Sequence, residues 1–422
     1  MSSSESQADP VVALAAPLSG EVPPAHRLAR LIAVATTSVI VILLVAWVRT
    51  DPRTNLETDW TSFDNAAERF FASEQVYQPW NGETEPLPYL YPPFVLWLAL
   101  PLGFLGFFSS WAFSATLTVG TFIGGILLLA RAVPGAADRT TGLVLATASG
   151  TVVAAALIGQ YSGIYVLSLG LAAWLWVNDR QLLAGLALAI LSMKPNLAIA
   201  VPVVLIWSRS WSALRGFTAG TVAALAASIP FGLDRWSGFA SNVQQMAELQ
   251  EQGQLFSDLM VTNVGAAQSA LGLSSSSGVL FAIWLLSSAV LGVATLVAWT
   301  RPALAENPVR ALSVLAGFMV VANPRMYFYD ATLIVFAILG LWFTLDAAGG
   351  ELSKRWLPRM APVLWFFSWG GVFKSLNMFV GPLTGLVLVL VAVDIRSATA
   401  TSSQELHAVD SGIADGPEAL AA

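Results

Sequence analysis

The residues best suited to chemistry are Asp59, Asp64, Gln160, Lys194, Arg325, Tyr329, Asp330 and Lys374. Lys194 and Lys374 interrupt apolar stretches. A charge at membrane depth costs about 2.5–3.5 kcal/mol on insertion scales. A cation kept there suits an anionic ligand, and a guanidinium such as that of Arg325 matches phosphate oxygens. Asp59 and Asp64 stand in an acidic, aromatic stretch, TNLETDWTSFDNAAERFF, residues 54–71. A carboxylate partly desolvated at a lipid–water boundary is a better base. Base and cations together suit a reaction on an anionic substrate.

Several of these residues also have a purely structural reading. Asp59 can cap the start of a helix. Lys194 can snorkel from a helix end. Arg325 can pair internally with Asp330, and Gln160 can cap a hairpin turn. Pro92 and Pro93 fit a helix start, where a missing N–H costs nothing.

The elements that hold these residues follow from composition. Of 422 residues 56% are hydrophobic and 11% charged. A soluble domain carries about 25% charged residues, so this chain cannot coat a soluble particle of its size. Apolar runs of about 20 residues recur, as a polytopic membrane protein requires. Many of the 16 Trp stand near the ends of these runs, among them Trp47, Trp111, Trp207, Trp211 and Trp342, and suit the membrane interface. There is no Cys, and the only His are His26 and His407 in polar tails. Thiol chemistry, disulfides, His triads and multi-His metal sites are thereby excluded from the membrane body. The net charge of −6 resides partly in the tails and first loop and gives no indication of a nucleic-acid partner. No phosphate-binding loop, dinucleotide fingerprint or nucleophile elbow lies in a suitable context.

Residues 1–25 and 397–422 read as disordered tails flanking one membrane domain, 26–396. Leu31–Val48 reads as a retained signal-anchor helix. Further segments fall at 91–108, 111–130, 140–158, 161–177, 182–193, 196–208, 212–231, 278–299, 311–323, 328–346, 358–373 and 376–393. The count is about 11–13, some of them half-height. Two long polar loops break the series. Residues 49–90 hold eight acids, and 232–277 hold four acids and one base. Within the first, Trp60, Phe63, Ala67, Phe70 and Phe71 follow helical spacing and form the stripe of an interfacial helix. The short connections are basic, with Arg131, Arg139, Arg180, Arg209, Arg215, Arg301, Arg310, Lys354, Arg355 and Arg359. The positive-inside rule assigns them to the cytoplasm and both long loops to the outside. The turns at Gly159-Gln160, Lys194-Pro195, Asn323-Pro324-Arg325 and Phe373-Lys374 then point outward. Segments 91–108 and 111–130 cannot both be simple spans if 131–139 is cytoplasmic.

In this order the residues resemble glycosyltransferase family 87, membrane enzymes with the C-type glycosyltransferase fold. The family pattern is matched by Asp59, Phe63, Ala66-Ala67, Tyr77 and Tyr91-Pro92-Pro93, then by Gly159-Gln160, Ala184-Gly185 and Lys194-Pro195, and later by Asn323-Pro324 and Tyr329-Asp330. A His that some mannosyltransferases of the family carry in the late motif has no counterpart here. The resemblance implies an all-α C-type bundle in the cytoplasmic (plasma) membrane and a role in the cell envelope. It implies a polyprenyl-phosphate sugar donor, often of mannose, and a glycan or glycolipid acceptor hydroxyl at the outer face. Asp59 would be the general base. Lys194, Arg325 and Lys374 would stabilise the departing phosphate, without need of a metal or other cofactor. Gln160, Tyr329 and Asp330 would bind sugar or orient the cations, and Asp64 is the alternative base or a further substrate contact. The rival reading is a transporter or flippase for a lipid-linked or anionic substrate. Against it, the large acidic loop follows only the first helix, and no second half mirrors it.

Overall fold

The computed structural model describes residues 59–80, 88–133, 139–252, 260–274, 276–348 and 377–414, and part of 30–42. Glu57, Lys374 and most of segments 31–48 and 358–373 lie outside the described residues.

Among the described residues the chain is helical, with one isolated β-bridge, between Met260 and Tyr327. In chain order the helices are α1 (Asp59–Phe71), α2 (Pro93–Phe104), α3 (Phe107–Ala132), α4 (Arg139–Thr147), α5 (Gly150–Leu157) and α6 (Ser162–Val177). There follow α7 (Gln181–Met193), α8 (Pro195–Trp207) and α9 (Trp211–Phe231). The remainder are α10 (Arg235–Glu251), α11 (Asn263–Leu271), α12 (Gly278–Ala298), α13 (Arg301–Glu306), α14 (Pro308–Val321), α15 (Thr332–Ala348) and α16 (Asn377–Ala414).

Four helices are long and apolar enough to cross a membrane: α3, α9, α12 and the Met378–Arg396 part of α16. Several others are apolar but shorter. The expected all-α membrane architecture is therefore present. Exposed apolar side chains such as Leu286 (67%) and Val293 (62%) on α12 suit contact with lipid rather than water.

Two of the expected segments differ in form. Segment 91–108 becomes α2, whose last residues, Leu100–Phe104, tighten into a 3₁₀ turn. At 1.5 Å per residue α2 is roughly 18 Å long, too short for a hydrocarbon core of about 30 Å. Segment 140–158 is broken between α4 and α5, because Ser149 leaves the helical backbone with ψ 143°. α16 continues as helix to Ala414, into a stretch whose composition suggests a disordered tail. Extending a packed helix adds one hydrogen bond per residue and needs no new nucleus.

Small residues set the helix directions. Gly163 lies against the Thr118 backbone and Gly170 against that of Gly125, so α6 runs parallel to α3. Such small residues let membrane helices approach closely. The Ser168 hydroxyl on α6 donates to the Ala187 carbonyl on α7 at 2.7 Å, and the two helices form a hairpin. α9 meets α7 through Gly216 against Leu182 and Thr221 against Ser192 at 3.1 Å, again parallel. The chain must therefore reverse at Lys194. The beginnings of α3, α6 and α15 and the ends of α7, α9 and α14 thus share one end of the bundle.

Candidate active site

α1 docks on this end. Its sequence DWTSFDNAAERFF turns Trp60, Phe63, Ala66 and Ala67 inward, all at most 1% exposed, while Phe71 is 44% exposed. The expected stripe is thus mostly a packing face on the bundle, with only its far end left at the surface. The Trp60 backbone N–H donates to the Ile158 carbonyl at 3.0 Å. The next residue, Gly159, has φ +67°, and a side chain there would run into Trp60. Only glycine meets both demands cheaply. Asp59 is the first residue of α1, directly before the residue bonded to the Gly159-Gln160 turn. The Asp59 side chain lies outside the described residues.

Asp64, one turn further on, accepts a hydrogen bond from the Ser110 hydroxyl at 2.8 Å. Burial pushes its carboxyl up to about 6. The Ser110 hydrogen bond opposes the shift and the Glu68 charge adds to it.

Around Phe63 gathers an aromatic chamber. Its ring lies 4.5 Å from Tyr161, 4.6 Å from Tyr91 and 5.6 Å from Tyr89, centroid to centroid. The Tyr77 hydroxyl donates to the Tyr91 carbonyl at 2.7 Å. The Tyr91 hydroxyl donates to Gln160 Oε1 at 2.6 Å, and Thr118 Oγ1 donates to the Gln160 carbonyl. Gln160 is thereby held at both ends, with its NH2 turned away from the Tyr91 hydroxyl. Tyr165 lies one turn beyond Tyr161 on α6, within electrostatic range of Asp330.

Near Tyr165 stands the ion pair. Lys194 Nζ meets Asp330 Oδ2 at 2.5 Å. Asp330 sits in the 3₁₀ turn Phe328–Ala331 that leads into α15. The aspartate is 1% exposed and the lysine 18%. Lys194 Nζ also lies 5.3 Å from the centroid of the Tyr329 ring, a cation–π distance. Asp330 Oδ1 is buried without a hydrogen-bond partner, as are the hydroxyls of Ser162 and Thr332. A buried polar atom left unpaired costs about 1–3 kcal/mol.

An Arg325–Asp330 pair, the structural expectation, is not formed; Asp330 takes Lys194 instead. The reason is local. The Arg325 backbone N–H is held by Asn323 Oδ1 at 2.9 Å, while the Asn323 amide reaches the Asn196 carbonyl at 3.4 Å. These contacts draw the α7–α8 turn, with Lys194, onto the 323–330 segment. The structure therefore gathers Gln160, Lys194, Arg325, Tyr329, Asp330, Asp64 and the helix begun by Asp59 at one end. Lys374 lies outside the described residues.

Sequence reasoning did not single out Tyr89, Tyr161 or Tyr165, and gave Tyr77 and Tyr91 no role. A signal was present. The chain has only seven Tyr, and five line the chamber while Tyr327 and Tyr329 stand by the ion pair, 5.8 Å apart. Among the described residues no three His, Asp or Glu gather as a metal cluster.

The model of glycosyltransferase family 87 matches residues 89–324, more than half of the chain. The matched stretch contains Gln160 and Lys194 and stops one residue before Arg325. No curated protein and no solved structure matches the chain. With this match, and with four helices fit to cross a membrane, the chain belongs to glycosyltransferase family 87, a membrane glycosyltransferase working between a sugar donor and an acceptor.

Proposed function

We propose that the protein transfers a sugar, with mannose as the first candidate, from a polyprenyl-phosphate donor to an acceptor hydroxyl of a glycan or glycolipid. One membrane domain, 26–396, with a C-type arrangement, carries the reaction at the outer face of the cytoplasmic membrane. The observation that carries this reading is the half-buried Lys194 ammonium, anchored on the buried Asp330 and stacked on Tyr329. An ammonium has three donors, and Asp330 occupies one of them.

In the proposed step the acceptor oxygen attacks the anomeric carbon as the bond from that carbon to the phosphate oxygen breaks. The acceptor proton passes to the Asp59 carboxylate. The bond electrons leave with the polyprenyl monophosphate, whose added negative charge meets Lys194, Arg325 and Lys374. Attack opposite the leaving group inverts the anomeric centre. Gln160, Tyr329 and Asp64 contact the substrates. Asp330 holds Lys194 in place, and no metal ion is needed.

The outward orientation is supported by charge. Arg131, Arg180, Arg209, Arg301 and Arg310 all fall at helix ends opposite the α1 end, as the positive-inside rule requires of a cytoplasmic face.

The test is transfer of radiolabelled mannose from polyprenyl-phosphate-mannose by membranes containing the wild type or Asp59→Asn. Transfer by the wild type and its loss in a folded Asp59→Asn protein is the expected result. Equal transfer by both would remove Asp59 as the base. No transfer from a panel of lipid-linked sugars would overturn the donor class.

A further inference from the structure

Arg235 is the one basic residue in 232–277 and opens α10. Its Nε donates to the Phe231 carbonyl at 2.5 Å. Its guanidinium carbon lies 5.1 Å from the centroid of the Phe70 ring, and its NH1 is buried with no acceptor. Among the described residues no carboxylate pairs with it; the adjacent Asp234 folds back against Gly232. A half-buried guanidinium with an unused donor is costly unless an anion completes it.

The surroundings say where that anion comes from. Arg235 follows four residues after the last residue of the apolar helix Trp211–Phe231, the depth at which lipid headgroups lie. Beside it the apolar side chains are bare: Leu233 is 70% exposed, Ile229 64% and Trp97 51%. The Trp97 and Phe231 rings lie 4.9 Å apart, and Phe231 lies 5.6 Å from Phe70. A cation at the end of such a surface fits a molecule with a phosphate head and hydrocarbon chains.

We infer that Arg235 is a second anion site, which binds the phosphate of a membrane lipid whose chains lie along Trp97, Ile229 and Leu233. The site adjoins the chamber. Gly238 of α10 packs on Tyr77, and Tyr77 joins Tyr91 and through it Gln160. The inference needs a lipid phosphate and no particular sugar, so it stands apart from the identity of the donor.

The experiment uses the full-length protein in detergent. It is titrated with dioctanoyl phosphatidic acid, with dioctanoylglycerol and with inorganic phosphate, and thermal stabilisation is read. Phosphatidic acid should bind, and Arg235→Gln should weaken it by about tenfold or more, as loss of a charge-assisted phosphate contact does. Dioctanoylglycerol and inorganic phosphate should bind far more weakly than phosphatidic acid. Equal affinity of wild type and Arg235→Gln would overturn the proposal. Inorganic phosphate binding as tightly as phosphatidic acid would replace it with a free-anion site, and equal binding of dioctanoylglycerol would reduce it to an apolar surface. A second measurement needs no variant. Phosphatidic acid should slow modification of Arg235 by phenylglyoxal, followed by peptide mass spectrometry, where dioctanoylglycerol does not. An unchanged rate would overturn the proposal even if Arg235→Gln failed to fold.

Discussion

Lys194 and Asp330, 136 positions apart, meet at 2.5 Å, and the aspartate is the more deeply buried of the two. The buried partner fixes the pair, and the lysine, stacked on Tyr329, is the more exposed of the two. Asp330→Asn keeps the shape and removes the charge that holds Lys194. Breaking a buried pair costs about 3–5 kcal/mol, and the 18% exposure of Lys194 puts this case at the lower end. Transfer should fall by roughly 100-fold, the scale of losing one electrostatic contact to developing charge. Steady-state kinetics together with thermal unfolding check both effects. Activity equal to wild type in Asp330→Asn would remove the pair from the site.

Tyr91→Phe tests the positioning of Gln160. Loss of the phenol removes the Tyr91 hydrogen bond to Gln160 Oε1, a net contribution of about 0.5–1.5 kcal/mol. The amide then turns, and kcat should fall by about tenfold with a lesser change in KM, a factor that corresponds to about 1.4 kcal/mol. A control is at hand in Tyr89, whose hydroxyl is buried without a partner. Tyr89→Phe removes an unsatisfied group, and its thermal stability should match or exceed that of the wild type.

Gly159→Ala should undock α1. Its left-handed backbone costs an L-residue about 1–2 kcal/mol, and its new methyl would meet the Trp60 side chain, adding an overpacking cost of about 1–3 kcal/mol. Loss of transfer with faster proteolysis within residues 59–71 is the expected result. A fully active, protease-resistant Gly159→Ala protein would contradict the docking.

Asp64 gives a pH dependence. Its folded pKa, about 6, is raised above the ordinary 3.8, so the folded state binds more protons than the unfolded state between those values. Its contribution to stability is therefore greatest below pH 3.8 and is lost as pH rises through about 6. Asp64→Asn keeps an acceptor for the Ser110 hydroxyl and cannot ionise. Thermal melts across this window should fall less steeply with rising pH for Asp64→Asn, and its stability at pH 7 should exceed that of the wild type. Parallel melting curves would mean that another group titrates.

The membrane character, the helical class and the short list of charged residues were legible in the chain alone. These follow from composition and from apolar runs, which are local properties of the chain. The gathering of the turns at Gly159-Gln160, Lys194-Pro195 and Asn323-Pro324-Arg325 was also legible, because alternating basic loops fix the direction of each span. The family match spans two of these turns, since Gln160 and Lys194 lie within the matched residues. Which residues pair was settled by packing in three dimensions. Arg325 is five positions from Asp330 in sequence, yet Lys194, 136 positions away, takes the carboxylate. Likewise the helix that opens with Asp59 reads as interfacial from its spacing, and it is the Ile158 carbonyl and the bare backbone of Gly159 that seat it on the bundle. Periodicity reports which face of a helix is apolar; the partner that covers it is set by helix packing between segments far apart in the chain, on which a single sequence carries no local signal.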